Sequence, residues 1–297
     1  MKKTEIRLAQ KGDFEAISTL IASQNKSPET HCIHSDTGGD EKCILGELNR
    51  LAGDDEIRLV MSSVNGHVSG VLGCEFDLEL KRGWLRGPFI VEPLTDWQAM
   101  ATLLFEELLN TLPVAIHQLD TFLDIANNRG NSFYFNRGFE QLRLVHVYVC
   151  PPPRKPVLVE ERCMLLHPRQ AKKFVELHDS VFPGTYATGQ RILDKLDYLH
   201  RVFVYGKDDE VTGYLYAIID DDTGDGSVEY VGVHEEARGK GIGRLLLQNA
   251  LQWLFEVKKV PQTMLVVNDN LGNARSLYES VGFRLKYSGV HNRKIWE

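Results

Sequence analysis

The sequence predicts an α/β (α+β) protein built as two successive copies of one unit, and three observations carry that expectation. Strand and helix patterns follow the same order in residues 1–150 and 157–297. A pattern late in the first half, Gly130-Asn131 with Phe133-Tyr134 and Gly138-Phe139, returns late in the second as Gly272-Asn273 with Leu277-Tyr278 and Gly282-Phe283. The spacing differs by two residues between Asn and Tyr and matches from Tyr onward. Between the halves lies Pro151-Pro152-Pro153-Arg154-Lys155-Pro156, which is poor in ladder donors and favours an extended linker over 151–156. A length of 297 residues suits two domains of ordinary size. Two unrelated domains are the alternative to duplication.

In the first half, Ile6-Arg7-Leu8 reads as a short strand, and Asp13 is expected to cap a helix carrying Phe14, Ile17, Leu20 and Ile21. A loop and a second helix near 41–52 follow. Residues 57–64 and 68–76 read as strands joined by Asn65-Gly66, a dipeptide suited to a two-residue hairpin. A strand at 84–91 precedes a helix at 96–110, which places Trp97, Met100, Ala101, Leu104 and Leu108 on one face. A strand at 119–125, a short helix through Tyr134 and a strand at 142–149 complete the half.

The second half gives a strand at 162–166, helices at 169–182 and 192–199, and a hairpin of 202–205 with 211–219 across Lys207-Asp208-Asp209-Glu210. A central strand at 227–233 leads to a long helix at 241–256. A strand at 263–267, a helix at 274–281 and a last strand at 283–290 follow.

Composition narrows the class. With 43% hydrophobic and 25% charged residues the chain is not collagenous, coiled-coil or wholly disordered. No apolar run approaches the ~18 residues of a membrane span, and the start is unlike a secretory signal. A cytoplasmic protein with no membrane partner is expected. The five cysteines are odd in number and contain no CxxC pair, which argues for free thiols and against a cysteine zinc site. The formal net charge is -7, and residues 1–150 hold 14 Lys+Arg against 21 Asp+Glu, whereas the remainder holds 20 of each. That balance disfavours nucleic acid and leaves the second half as the easier host for an anion.

The chemistry is concentrated in Val231-Gly232-Val233-His234-Glu235-Glu236-Ala237-Arg238-Gly239-Lys240-Gly241-Ile242-Gly243-Arg244. A strand runs into a glycine-rich turn that opens an amphipathic helix. Glycines at 239, 241 and 243 let the backbone approach a ligand and aim N–H groups outward at a positive helix N-terminus, a phosphate-binding design. It is neither a P-loop nor a dinucleotide fingerprint. The turn resembles the pyrophosphate loop of the GNAT superfamily of acyl-CoA N-acyltransferases, [QR]-x-x-G-x-[GA], through Arg238, Gly241 and Gly243. Roughly 0.3 chance matches are expected in a chain of this length. The preceding strand, the following helix and the later Asn270, Asn273-Ala274, Leu277-Tyr278-Glu279 and Gly282-Phe283, which are similar to the family's second signature, make the match specific. The resemblance covers about 160–297.

It implies two tandem GNAT-like domains, each a mixed, mostly antiparallel sheet flanked by helices, in an arrangement similar to mycothiol synthase. It further implies acetyl-CoA as cosubstrate with no metal, and an N-acetyltransferase acting on the primary amine of a small molecule by direct attack on the thioester. Val231, Gly232 and Val233 match the strand that meets the pantetheine amides, with the Val231 N–H as oxyanion donor. Arg238, Gly239, Lys240, Gly241, Ile242, Gly243 and Arg244 match the pyrophosphate loop. Tyr278 matches the family's acid, which protonates the leaving thiolate, and Glu229 is the candidate base for the acceptor ammonium. Similar proteins place an asparagine seven residues before the tyrosine, where this chain has Leu271, so Asn270 and Asn273 are the alternatives for a CoA contact, with Asn273 ahead because Asn131 echoes it. Phe182 and Tyr186 fall where the family contacts its acceptor.

The first half has only Glu92-Pro93-Leu94-Thr95 between strand and helix, so the loop is missing. It reads as a degenerate GNAT-like domain over 1–150, with catalysis in 157–297. His31-Cys32-Ile33-His34 and Asp220 to Gly226 have a faint metal-site look, but neither has a complete ligand set. The competing functions are an acyl-CoA sensor or scaffold without turnover and a peptide or protein N-acetyltransferase. A monomer or homodimer is expected.

Overall fold

The computed structural model describes residues 4–35, 40–92, 96–153, 163–221, 223–268 and 272–296. The backbone forms two units, Met1–Val145 with Ser288–Glu297, and His146–Tyr287. Each is a mixed, mostly antiparallel sheet flanked by helices.

The first unit runs β1 (Thr4–Leu8), α1 (Phe14–Gln24), α2 (Glu41–Gly53), β2 (Ile57–Val64), β3 (His67–Asp77), β4 (Arg82–Ile90), α3 (Trp97–Thr111), β5 (Gln118–Asp124), α4 (Asn128–Phe135) and the start of β6 (Glu140–Cys150). β1 to β4 are antiparallel neighbours, and β5 lies parallel to β4. The β2–β3 hairpin turns through Asn65 and Gly66 at φ of 52° and 84°, the double positive φ that the dipeptide supplies cheaply. The predicted core positions Trp97, Met100, Ala101, Leu104 and Leu108 are buried against Ile17, Ile21, Leu48 and Leu85. Asp13 differs from expectation. Its carboxylate makes no cap bond to α1 and is held by Arg7 at 2.7 and 2.8 Å and by the Gln10 N–H at 2.7 Å, in a 3-10 turn that precedes the helix.

The second unit takes His146–Tyr287. Tyr148 and Cys150 of β6 enter its core, followed by β7 (Cys163–Leu165), α5 (Ala171–Val181), α6 (Gly189–Asp194), β8 (His200–Tyr205), β9 (Gly213–Ile219), β10 (Gly226–Val233), α7 (Ile242–Gln252), β11 (Thr263–Asn268), α8 (Gly272–Ser280) and β12 (Arg284–Ile295). β7 to β10 are antiparallel neighbours, and β11 runs parallel to β10. Leu246, Leu247, Ala250 and Leu254 bury one side of α7 and its π-helical end, Trp253–Val257, against Leu215 and Ala217. The helix expected at 192–199 instead spans Gly189–Asp194. The Thr188 hydroxyl accepts from the Arg191 N–H at 3.2 Å and starts it early, and the Asp197 carboxylate, bonded to the N–H groups of Leu199 and His200, turns the chain before 199.

The boundary also differs from the proline run. β6 passes from one unit to the other at 145/146, and the last strand extends to Ile295 rather than ending near 290. Its residues Gly289–Ile295 pair antiparallel with Asp124–Gln118 of β5, which assigns Ser288–Glu297 to the first unit instead of the second. Pro151, Pro152 and Pro153 fall in the second unit, and 154–156 lie outside the described residues. Among the described residues no helix is long and apolar enough to cross a membrane.

Candidate active site

β10 pairs with β9 along its length, but its parallel pairing with β11 covers only Gly226–Val228. Immediately after Val228 the register against β9 shifts, so Glu229 is the extra residue of a bulge. From Glu229 to Val233 the β11 side of the strand has no ladder partner among the described residues. An edge of unpaired N–H and C=O groups accepts an extended amide-bearing ligand as it would another strand. Val231, Gly232 and Val233 lie on this edge. Gly232 is demanded by the other side of the strand, since a Cβ there would stand 2.4 Å from the Tyr214 ring.

The strand ends in the glycine turn. A 3-10 turn, Glu235–Ala237, precedes Arg238, whose Nε donates to the Val233 carbonyl at 3.1 Å and fastens the turn to the strand. Gly239 and Gly241 have φ of +76° and +79°, and a Cβ at either would meet nothing within 4 Å, so backbone conformation rather than crowding selects glycine. Among the described residues, the N–H groups of 239–243 find no backbone acceptor, and the first helical bonds are those of Arg244 and Leu245 to the Gly241 carbonyl. Ile242 is buried beneath the turn, while Arg238, Lys240 and Arg244 are exposed. Free amides at a helix start flanked by cations form an anion cradle, and these residues fit the pyrophosphate of a CoA ester.

Gly243 links this cradle to the predicted acid. A Cβ at Gly243 would lie 3.2 Å from Leu277 Cδ2 and 4.0 Å from Val231 Cγ1, so the missing side chain lets α8 press against α7 and β10. Tyr278 follows Leu277 and is half-buried against Tyr148 and Phe283, with ring centroids at 6.4 and 6.1 Å. Burial pushes its phenol up to about 12, which keeps the proton on at neutral pH. Its hydroxyl has no protein acceptor among the described residues. Asn270 lies outside the described residues; the backbone of Asn273 is in the first turn of α8.

The structure joins two positions that the sequence treats separately. Tyr186, in the segment between α5 and α6, donates its hydroxyl to Glu229 Oε2 at 2.8 Å, and the Ser227 hydroxyl donates to Oε1 at 2.5 Å. The Glu229 carboxylate raises the Tyr186 phenol well above the usual value, so Tyr186 remains a donor. Tyr186 is 46% exposed, which leaves the pair open to solvent and to an incoming amine. Behind them stands an aromatic wall: the Tyr230 ring is 5.0 Å from Phe182 and 6.2 Å from Tyr186, and its hydroxyl bonds Thr185 at 2.6 Å.

His178 locks this wall to α5. Its Nε2 lies 2.8 Å from the Ala187 carbonyl, which can only accept, so Nε2 carries the proton and Nδ1 accepts from Tyr214 Oη at 2.6 Å. Burial lowers its pKa, consistent with a neutral ring. Ser227, Tyr230, Thr185 and His178 were not singled out by the sequence. Ser227 was within reach of it, because it sits two residues before Glu229 on the same strand face. Among the described residues no group of three or more His, Cys, Asp or Glu is placed to hold a metal ion. His34 instead bonds Glu75 at 3.0 Å, and the Asp220 carboxylate closes its own turn onto Thr223.

Residues 171–283 match the acetyltransferase (GNAT) family. The second unit carries a GNAT domain. Over nearly the whole chain the fold is similar to that of solved GNAT proteins of about the same length. A GCN5-related N-acetyltransferase from Sphaerobacter thermophilus is 18% identical with a TM-score of 0.74, covering 98% of this chain and 95% of that one. A tandem GNAT protein from the clavulanic acid biosynthesis pathway is 14% identical with a TM-score of 0.66, covering 99% and 98%. A GNAT-family acetyltransferase from Colwellia psychrerythraea is 12% identical with a TM-score of 0.58, covering 98% and 99%. No curated protein matches the sequence. The GNAT family is one of acetyltransferases, and the matched segment contains β10, the glycine turn, Glu229 and Tyr278.

Proposed function

We propose that this GNAT protein is an N-acetyltransferase that moves the acetyl group of acetyl-CoA to the primary amine of a small molecule, with chemistry in the second unit and none in the first. The observation that carries this reading is the Glu229 carboxylate, placed at the bulge where β10 leaves β11 and held by Tyr186 and Ser227.

The residues divide the work as follows. The amides of 239–243, with Lys240 and Arg244 beside them, bind the pyrophosphate, and the open edge of Val231 to Val233 takes the pantetheine amides as a strand. Acetyl-CoA supplies the activated thioester. An alkyl ammonium has a pKa around 10, so Glu229 removes its proton, directly or through water, while Tyr186 and Ser227 hold the carboxylate in place. The Val231 N–H faces the carbonyl oxygen as charge develops there, and Tyr278 returns a proton to the departing sulfur. The rings of Tyr186, Tyr230 and Phe182 favour a cationic amine on an apolar carrier, because ring faces attract ammonium groups.

Thiol release from acetyl-CoA across a panel of small amines tests the reading. Amine-dependent release supports it. Tight CoA binding with no release on any amine would leave an acyl-CoA sensor, and release only with peptides bearing a free N-terminus would leave a peptide acetyltransferase.

A further inference from the structure

The first unit contains a cationic cluster that the chemistry above does not use. Arg82 of β4, Asp120 and Phe122 of β5, and His291 and Arg293 of β12 share one sheet face by register, for Trp84 and Arg293 both pair with Asp120 and His291 pairs with Phe122. Asp120 is fully buried and is the hub. Its Oδ2 accepts from Arg82 Nε at 2.5 Å and from Gln118 Nε2 at 2.8 Å, and its Oδ1 accepts from His291 Nε2 at 2.5 Å and from Arg293 Nε at 2.8 Å. Arg143 of β6 donates Nε to His291 Nδ1 at 3.2 Å, so the imidazole is neutral, accepting from Arg143 and donating to Asp120.

Two guanidinium groups therefore share the Asp120 carboxylate directly and a third, Arg143, reaches it through the neutral His291. Of the other carboxylates near this face, Glu75 and, from α2, Glu47 are bound by Arg86 at 2.6 to 2.8 Å, Asp124 accepts from the Ala126 N–H at 2.9 Å, and Asp77, opposite Arg82 in register, accepts from the Leu80 N–H at 2.9 Å. Burial draws the Arg82 guanidinium down, and the charges of Arg293 and Arg143 act in the same direction against the pull of Asp120, so the three cations lie within electrostatic reach of one another. Arg82 and Arg293 spend Nε on Asp120, and Arg143 spends its Nε on His291. Among the described residues none of their terminal amino groups has a hydrogen-bond acceptor, and none is buried. Arg82 is further fixed over the Trp84 ring at 5.0 Å, and His291, the acceptor for Arg143, is stacked on Phe122 at 4.2 Å, so both are held before any ligand arrives.

We propose that Arg82, Arg143 and Arg293 form an oxyanion site in the first unit that takes a small dianion of the phosphate type. The cluster holds more cations than the Asp120 carboxylate neutralises, and guanidinium amino groups free of protein acceptors are the donors that planar or tetrahedral oxyanions recognise. The site is separate from the glycine turn of the second unit and does not depend on acetyl transfer.

The test follows the arginine Nε–H signals of Arg82, Arg143 and Arg293 by NMR in the full chain, titrated with inorganic phosphate, with malonate as a dicarboxylate arm, and with sodium chloride at matched ionic strength. Site-resolved signals separate this cluster from the glycine turn, which also binds phosphate. Saturable movement with phosphate, weakened about tenfold or more by Arg143→Gln and restored by Arg143→Lys, is expected. Arg143 is exposed, so its variant keeps the fold. Saturation by malonate alone would reassign the ligand and overturn the phosphate-type assignment. No movement beyond that caused by chloride, or movement unchanged in Arg143→Gln, would overturn the site.

Discussion

Tyr134 and Tyr278 occupy the same place in the repeated pattern of the two units, and their surroundings are opposite. Tyr134 is fully buried and donates its hydroxyl to the Gly87 carbonyl at 2.9 Å. Tyr278 is half-buried, and its hydroxyl has no such acceptor among the described residues. One strand over, the contrast repeats. In the first unit the parallel pairing of β4 with β5 ends at Leu85 and Thr121, and the next residue is Arg86, 3% exposed and clamped by Glu47 and Glu75. In the second unit the same pairing ends at Val228 and Leu265, and the next residue is Glu229, open beside Tyr186. In the first copy the tyrosine hydroxyl and the charge at the end of the parallel pairing are both spent on the interior. The second leaves the amides of the glycine turn without backbone acceptors among the described residues and sets its carboxylate beside the exposed Tyr186, which is what a site needs.

The largest expected effect breaks the comparison on the inert side. Arg86→Leu strands the Glu47 and Glu75 carboxylates and should cost about 3–5 kcal/mol of stability, read by denaturant unfolding, with acetyl transfer per folded molecule unchanged. On the active side, Tyr278→Phe should lower kcat about a hundredfold to a thousandfold at nearly unchanged CoA affinity, whereas Tyr134→Phe should leave kcat alone and cost about 1–2 kcal/mol of stability. Because burial lifts the Tyr278 phenol to about 12, above its ordinary value near 10, the acid form persists as pH rises and kcat should stay level through about pH 10. A fall of kcat with a midpoint near 9 would exclude Tyr278 as the acid. Glu229→Gln should cost about a hundredfold in kcat/KM, partly recovered at high pH where the amine is already neutral. Gly241→Glu forces a side chain onto a positive φ and a carboxylate onto the anion cradle, so CoA should bind about tenfold more weakly or worse by calorimetry. Smallest is Tyr186→Phe, which removes one hydrogen bond to a charged group at an exposed position and should cost about fivefold in kcat/KM with no change in CoA affinity.

Much of the second unit was legible in the sequence because its signals are local. The glycine turn, the strand before it, the helix after it and Tyr278 are each set by residues within a few positions, and the spacing that carries them is the spacing of the backbone itself. The Glu229–Tyr186 pair was visible only as two unrelated guesses, since 43 residues separate them and only the path of the chain between α5 and α6 brings them together. Helix α6 was misplaced for a similar reason. Its first residue is Gly189, where a Cβ would stand 2.7 Å from Val175 Cα, so the helix packs against α5 only without a side chain there, a contact between helices that periodicity does not encode. The Arg86 clamp and the Asp120 hub were unreadable because they join charges from strands and helices far apart in the chain, where alternation shows which face a residue takes but not what it meets there.

The pairing of Gly289–Ile295 with β5 sets an order on synthesis. During translation every residue of the second unit leaves the ribosome before the strand that completes the first, so the earlier-made unit waits, with one edge of β5 uncovered, until the later-made one has emerged. The second unit is therefore free to fold first, and the first is the last to close. A fragment cut at the proline run would carry Ser288–Glu297 with no β5 to pair against and would lack His146–Cys150 from its own core. The two halves of the gene do not correspond to two independent pieces of protein.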